Sequence, residues 1–388
     1  MNFDLDEEYR LINTTVNRFV DAALMPLEAT VLAREAEGGG YHLTPEELAP
    51  LHRQCRELGL WGLDCPAATG GAELPALAMV GVNEALGRTV TPFTFPPDSP
   101  NLHMLQATVN DAQRVKYLEP YARGETISAI AISEPGAGAD PAAMITRARR
   151  DGDDWVLDGR KIWVSKVDEA DFTVVMAVTD PARGARGGIS AFVVDRGTPG
   201  FEVARAIPII GGHTTFEVVL DNCRLPASQL LGAEGQGFAP MQLRLIVRRL
   251  QMGAWCLGMA RRALAMLCQH ANERTTFGAL LADRQAIQWW VADAETRIHC
   301  LQLMLWHAAC RQDAGADVRT EASMIKLYGT ELATDVIDWA MQAHGAMGMT
   351  KELPLQLMAQ RVRVMRIYEG PSEVHRWVLA RNRLRERQ

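Results

Sequence analysis

The spacing of hydrophobic positions changes twice along the chain. Through about residue 125, apolar residues recur at steps of three and four in short stretches broken by glycine and proline, which predicts helices joined by irregular segments. The clearest start is Thr44-Pro45-Glu46-Glu47, with a capping hydroxyl, proline at the first helical position and glutamate three residues after the cap. Leu48, Leu51, Cys55 and Leu58 then share one face, and Gly59 ends the helix. Between residues 127 and 226 the pattern shortens to β-rich runs at 155–157 and 161–164 around an Asp158-Gly159 turn, then 172–179, 189–195 and 214–220. Strands so closely spaced predict a small barrel or sandwich.

After Gly235-Gln236-Gly237 the helical period returns. Leu257, Ala260, Leu264, Leu267 and Ala271 step by three and four, as do Ile287, Val291, Ala294, Ile298, Leu301 and Leu305. Segments 318–344 and 354–367 complete a four-helix bundle, and a short helix starts at Pro371. The expected class is multidomain α+β: a helical domain over 1–125, a β-barrel or sandwich over 126–232 and a helical bundle over 233–388.

Composition narrows the function. The 388 residues are 48% hydrophobic and 22% charged, ample for large cores in two or three domains. Forty basic against forty-seven acidic residues give a net charge of −7 with no block of like charge, which argues against a nucleic-acid partner. No run of eighteen apolar residues predicts a membrane span, and the opening MNFDLDEEYR is acidic where a targeting signal is basic, so a cytoplasmic location is expected. Seven cysteines without a C-x-x-C pair point to reduced thiols rather than disulfides or structural zinc. No H-E-x-x-H, G-x-S-x-G or phosphate-loop signature is present, and no metal is expected.

Three segments could carry chemistry. Ile132-Ser133-Glu134-Pro135-Gly136-Ala137-Gly138-Ala139-Asp140 is dense in free backbone amides and could pass close to a planar or anionic ligand; a tight surface loop is the plainer alternative. Lys161-Ile162-Trp163-Val164-Ser165 sets an indole and a hydroxyl two residues apart, on one face if the strand is regular. That pairing suits an isoalloxazine ring, against the alternative of a core tryptophan and a surface serine. Ile367-Tyr368-Glu369-Gly370-Pro371-Ser372 places a carboxylate at a break between helices, suited to a general base or simply to a helix dipole.

The order of these segments resembles the acyl-CoA dehydrogenase family over nearly the whole chain. The resemblance rests on Leu58-Gly59-Leu60-Trp61-Gly62-Leu63 with Gly70-Gly71, on Ser133-Glu134-Pro135-Gly136-Ala137-Gly138, and on Trp163-Val164-Ser165. It continues through Glu273-Arg274-Thr275-Thr276-Phe277-Gly278 with Arg284-Gln285, Gln342-Ala343-His344-Gly345-Ala346-Met347-Gly348, and Tyr368-Glu369-Gly370.

The resemblance implies FAD between the β-domain and the bundle. Ile132, Ser133 and Gly138 would contact the flavin side, Trp163 would stack beside the ring and Ser165 would bond its edge. Arg274, Thr275, Thr276, Phe277, Arg284 and Gln285, with Gln342, Gly345 and Ala346, match positions that reach the FAD of a neighbouring subunit, implying a homo-oligomer, a dimer or most often a tetramer. Arg249 matches an arginine beside the active site, and Glu369 matches the base. The sequence departs from the family at Ala139, where a serine usually faces the CoA arm, at Lys166 and Val167, and at Pro371, which follows Gly370 where threonine is common. Ser372 and Glu373 are the candidates to replace that threonine, while Ala139 and Gly370 stay on the substrate side.

The implied reaction is oxidation of an acyl-CoA thioester to the trans-2-enoyl form. Glu369 would remove the α-proton, flavin N5 would take the β-hydride, and an electron-transferring flavoprotein or similar acceptor would take the electrons. The alternatives are an oxidase on the same fold, the reverse reduction of an enoyl-CoA, and a catalytically idle acyl-CoA-binding protein. Residues 91–100, rich in proline and phenylalanine, fall where the family forms the floor of the acyl pocket; a rigid surface loop is the alternative.

Overall fold

A computed structural model describes residues 3–385. Helices α1 (Glu7–Phe19), α2 (Glu28–Ala36), α3 (Pro45–Glu57), α4 (Ala76–Gly87), α5 (Ser99–Gln106), α6 (Asp111–Gln113) and α7 (Glu119–Arg123) come first. The capping box of α3 forms as its residues dictate: Thr44 Oγ1 accepts from the Glu47 amide, and Glu47 Oε2 accepts from the Thr44 amide. Gly59 leaves the helix with φ +68°.

The β-domain comprises β1 (Ser128–Ala131), β2 (Arg147–Asp151), β3 (Asp154–Val164), β4 (Phe172–Val178), β5 (Ile189–Asp195), β6 (Phe201–Pro208), β7 (Thr214–Pro226) and β8 (Leu230–Leu231). Their order in the sheet is β6-β7-β3-β2-β4-β5-β8, with β1 parallel to β4. One face curls around a core of Ala148, Trp155, Leu157, Val175, Phe192 and Val218. The other face lays Phe172, Val174 and Met176 against Leu102, Leu105 and Tyr117 of the N-terminal helices.

The expected Asp158-Gly159 turn does not exist. β3 runs straight through it, with a register shift against β7 between Leu157 and Gly159. Gly159 serves a close approach instead, since a Cβ there would lie 2.4 Å from Thr146 Oγ1. The hairpin falls between Asp151 and Asp154, which pair across the β2–β3 end. Two strands lie outside the expected runs: β2 is Arg-Ala-Arg-Arg-Asp, with no apolar signal, and β6 is Phe-Glu-Val-Ala-Arg-Ala-Ile-Pro, whose alternation is broken at Arg205 and which is mostly exposed; ladder pairing holds both as strands.

The bundle contains α8 (Phe238–Glu273), α9 (Gln285–Asp313), α10 (Arg319–His344) and α11 (Leu355–Met365), followed by α12 (Ser372–Arg385). The five stepping residues of α8 and all of those on α9 except the half-buried Val291 are buried. Helix α4 packs into the same core through glycines. A Cβ on Gly258 would lie 2.1 Å from the Glu84 carbonyl, and one on Gly87 2.2 Å from that of Trp255. The helical, β, helical order matches the expected fold class. No helix among the described residues is long and apolar enough to cross a membrane.

Candidate active site

Glu369 lies in the link between α11 and α12, where two successive residues turn left-handed: Glu369 at φ +58° and Gly370 at +97°. A non-glycine residue holds that conformation at a cost of about 1–3 kcal/mol, so its surroundings must enforce it. They do so by seizing the carbonyls. Arg249 Nε donates to Glu369 O at 3.0 Å, His375 Nε2 sits 3.3 Å from the same oxygen, and Lys326 Nζ donates to Gly370 O. Burial, then the charges of Arg249 and Lys326, pull the His375 pKa down to about 3, so the ring is neutral and donates from Nε2. The Glu369 amide donates to no acceptor among the described residues and is free for a ligand. Gly370 also has a packing reason, since a Cβ would stand 3.0 Å from His375 Nε2.

The Glu369 carboxylate faces an arginine that sequence reasoning missed. Arg244 Nη1 lies 3.2 and 3.4 Å from its two oxygens, and Arg244 Nε donates to Asn101 Oδ1 at 2.7 Å. Asn101 donates in turn to Ser128 Oγ at 2.9 Å, joining α5, α8 and β1. One turn further along α8, Arg248 pairs with Asp98 at 2.5 Å. Burial pushes the Asp98 carboxyl up, but the charges of Arg248, Lys166 and Arg244 outweigh it and hold the pKa down at about 2. Arginines at 244, 248 and 249 within the apolar Leu245-Ile246-Val247 stretch of a buried helix were the available signal. Thr94, Phe95, Pro96 and Pro97 line a small cavity with Gln251 and Trp255, next to the Asp98–Arg248 pair.

On the β-domain, Ile132 and Ser133 are tied to β3. The Ile162 amide donates to Ser133 O at 2.9 Å and Lys161 Nζ to Ile132 O at 3.0 Å. Lys161 is itself wholly buried and pairs with Glu134 at 2.8 Å. Glu134 also accepts from the Ile145 and Thr146 amides, at 2.7 and 2.9 Å. This internal pair anchors the glycine-rich loop, and the resemblance alone did not assign it that work. Gly138 and Ala139 are exposed, and a Cβ at Gly138 would meet nothing within 4 Å.

Trp163 and Ser165 do not share a strand face as regular alternation would place them. The ladder to β7 shifts register between Lys161 and Val164, Trp163 takes φ +61°, and Ser165 lies beyond the end of β3. The bulge turns the indole outward, 52% exposed, among buried neighbours.

The remaining candidates gather at the far end of the bundle. Thr275–Thr276 (β9) and Ala279–Leu280 (β10) form a two-stranded hairpin whose tip, Phe277-Gly278, has positive φ at both residues, as a type I′ turn requires. Phe277 is fully exposed. Arg284 Nη2 donates to Thr276 O at 2.5 Å, and the Leu281 amide to Arg274 O at 2.8 Å. His270 stacks on His344 at 4.2 Å, which joins the hairpin's base to the end of α10, where Gln342, Gly345 and Ala346 lie. Gln285 opens α9 on the surface. No hydrogen bond joins this group to Ile132, Trp163 or Ser165 within the described chain. Ser372 is buried, with its amide bonded to Arg366 O, while Glu373 is exposed in the first turn of α12.

The chain matches family models for the acyl-CoA dehydrogenase N-terminal domain over residues 6–125, the middle domain over 129–223 and the C-terminal domain over 235–384. It is 39% identical to (R)-benzylsuccinyl-CoA dehydrogenase of Thauera aromatica, over 99% of this chain and 97% of that one. Its fold is similar to that of a candidate acyl-CoA dehydrogenase from Mycobacterium abscessus, at a TM-score of 0.91 and 31% identity, covering 99% and 100% of the two chains. A glutaryl-CoA dehydrogenase from Mycobacterium smegmatis, solved with FADH2, is similar at a TM-score of 0.84 and 28% identity over 97% of this chain and 95% of that one. The chain is therefore an oxidoreductase belonging to the acyl-CoA dehydrogenase family.

Proposed function

We propose that this enzyme oxidises an acyl-CoA thioester to the trans-2-enoyl-CoA, with Glu369 as the base. The observation that carries the reading is the left-handed Glu369 loop. It presents a carboxylate and an unbonded amide together while Arg249, His375 and Lys326 hold the carbonyls away. The carboxylate takes the α-proton, and the amide of the same residue stabilises charge growing on the thioester oxygen.

The residues fit FAD as the cofactor. A half-exposed indole stands on a left-handed bulge beside the pinned Ile132-Ser133 backbone, and the glycine-rich loop next to them has open space in front of Gly136 and Gly138. Ile132, Ser133, Trp163 and Ser165 would hold the ring. The chemistry FAD supplies when bound is acceptance of the β-hydride.

A second copy of the chain completes the cofactor site with Arg274, Phe277, Arg284 and Gln285 and with Gln342 to Ala346. The fully exposed Phe277 on a tight left-handed turn, and the lack of any hydrogen bond between this group and Trp163 among the described residues, support that arrangement. Electron-transferring flavoprotein is the acceptor in this reading.

Glu369→Gln tests it. The amide keeps the shape but cannot take a proton, so the variant should retain FAD and bind thioester while flavin reduction falls by about 10²–10⁴-fold. Wild-type bleaching in stopped flow would place the base elsewhere.

A further inference from the structure

The charges around Glu369 do not balance. Arg244, Arg248, Arg249 and Lys326 converge on the link and on α5, against three nearby carboxylates among the described residues, Glu369, Asp98 and the exposed Glu373. Asp98 is committed to Arg248, whose Nη1 is further tied to Gln251 Oε1 at 3.1 Å. Arg249 and Lys326 spend their hydrogen bonds on backbone carbonyls. Arg244 is different. It is 8% exposed, its Nε is fixed by Asn101, and among the described residues its Nη2 makes no hydrogen bond and the only carboxylate it bonds is the base itself, the Asp98 charge acting on it from further off. Those contacts, at 3.2 and 3.4 Å, are longer than the roughly 2.7–2.9 Å usual for a charged pair.

We propose that Arg244 is a substrate-specificity residue that binds a free carboxylate on the acyl group, so that the substrate is the CoA monothioester of a short dicarboxylic acid. This rests on the reading of Glu369 as the base. During the reaction Glu369 gains the α-proton and becomes neutral, which strips Arg244 of the only carboxylate it bonds among the described residues and leaves it the more distant Asp98, already held by Arg248. Leaving a buried cation unpaired costs several kcal/mol. A neutral acyl chain would increase that cost by displacing water, whereas a substrate carboxylate removes it. The same carboxylate would draw Arg244 from Glu369 before the reaction and leave the base free to accept a proton.

The distances also set the length of the acid. A working base sits about 3–3.5 Å from the carbon it deprotonates, and Arg244 Nη1 lies 3.2 Å from Glu369. A carboxyl carbon two or three bonds from the α-carbon meets both, which describes succinyl-type and glutaryl-type thioesters. Asn101, which orients the guanidinium, is a positioning residue.

The test is a steady-state assay of the FAD-loaded enzyme with ferrocenium as electron acceptor. Succinyl-, methylsuccinyl- and glutaryl-CoA are compared with butyryl- and hexanoyl-CoA. At least one carboxylated thioester should exceed both neutral ones by about 10²-fold or more in kcat/KM. Arg244→Gln should lower the carboxylated value by a similar factor, chiefly through KM, and shrink or invert the preference; Arg244→Lys should recover part of it. A wild-type enzyme that oxidises butyryl- or hexanoyl-CoA as well as or better than every carboxylated thioester overturns the proposal while leaving the dehydrogenase reading intact. If no thioester of either kind is oxidised, the dehydrogenase reading falls, and this proposal with it. The wild-type ratio decides even if the variants do not fold.

Discussion

Replacing Lys161 by methionine keeps the volume of the side-chain stem and removes a charge that is wholly buried against Glu134, itself 3% exposed. Glu134 would keep only its two amide donors, from Ile145 and Thr146. Breaking a buried pair from one side costs about 3–5 kcal/mol because the other charge is stranded. The carboxyl can escape by taking a proton, and from an ordinary pKa near 4.3 that costs about 3.7 kcal/mol at pH 7, which caps the loss. The expected destabilisation is therefore about 3–4 kcal/mol at pH 7. It should shrink by about 1.4 kcal/mol for each pH unit below that, since the protonated carboxyl becomes cheaper to form. Glu134→Gln in the same background restores a neutral pair and should bring stability back to within about 1–2 kcal/mol of wild type. Urea unfolding of the four proteins at pH 7 and 5.5, followed by tryptophan fluorescence, measures the cycle. A Lys161→Met protein within 1 kcal/mol of wild type at pH 7, or a double variant as unstable as the sum of the singles, would refute the reasoning. Because Lys161 also holds the Ile132 carbonyl, the single variant should lose FAD before it unfolds.

Three further outcomes are expected. Burial lowers the pKa of His213 to about 4 and that of His375 to about 3, so the folded chain refuses protons that the unfolded chain binds below its ordinary value of about 6.5. Stability should therefore fall as pH drops from about 6.5, by up to about 1.4 kcal/mol per unit for each ring; a melting temperature unchanged between pH 7 and 5 would contradict this. Gly258→Ala forces a Cβ to 2.1 Å from the Glu84 carbonyl of α4, so it should cost at least about 3 kcal/mol of unfolding free energy in a urea titration, more than side-chain overpacking alone. In sedimentation at micromolar concentration the protein should be a dimer or tetramer and Phe277→Ser should shift it toward smaller species; a wild-type monomer with full FAD would end the shared-site reading.

Much of this protein was written locally. The helix from Pro45 to Glu57 needs nothing beyond its cap, its apolar face and Gly59, all within sixteen residues. The bundle helices follow from leucine, isoleucine and alanine at steps of three and four, because one face of a 3.6-residue helix must leave water. Trp163, Ser133 and Glu369 stood out as residue types in a recognisable order, although the bulge that turns the indole outward did not. Only the tertiary structure decided what those residues face. β2 carries no apolar alternation and β6 only one broken at Arg205, and partners elsewhere in the sheet make them strands. Arg244 meets Glu369 across 125 positions, Arg248 meets Asp98 across 150, and Lys161 reaches Glu134 across 27. A lone arginine or lysine in a sequence reads as a solvated surface charge. It becomes a buried and chemically consequential one only when the packing of distant helices and strands removes the water and sets a carboxylate beside it.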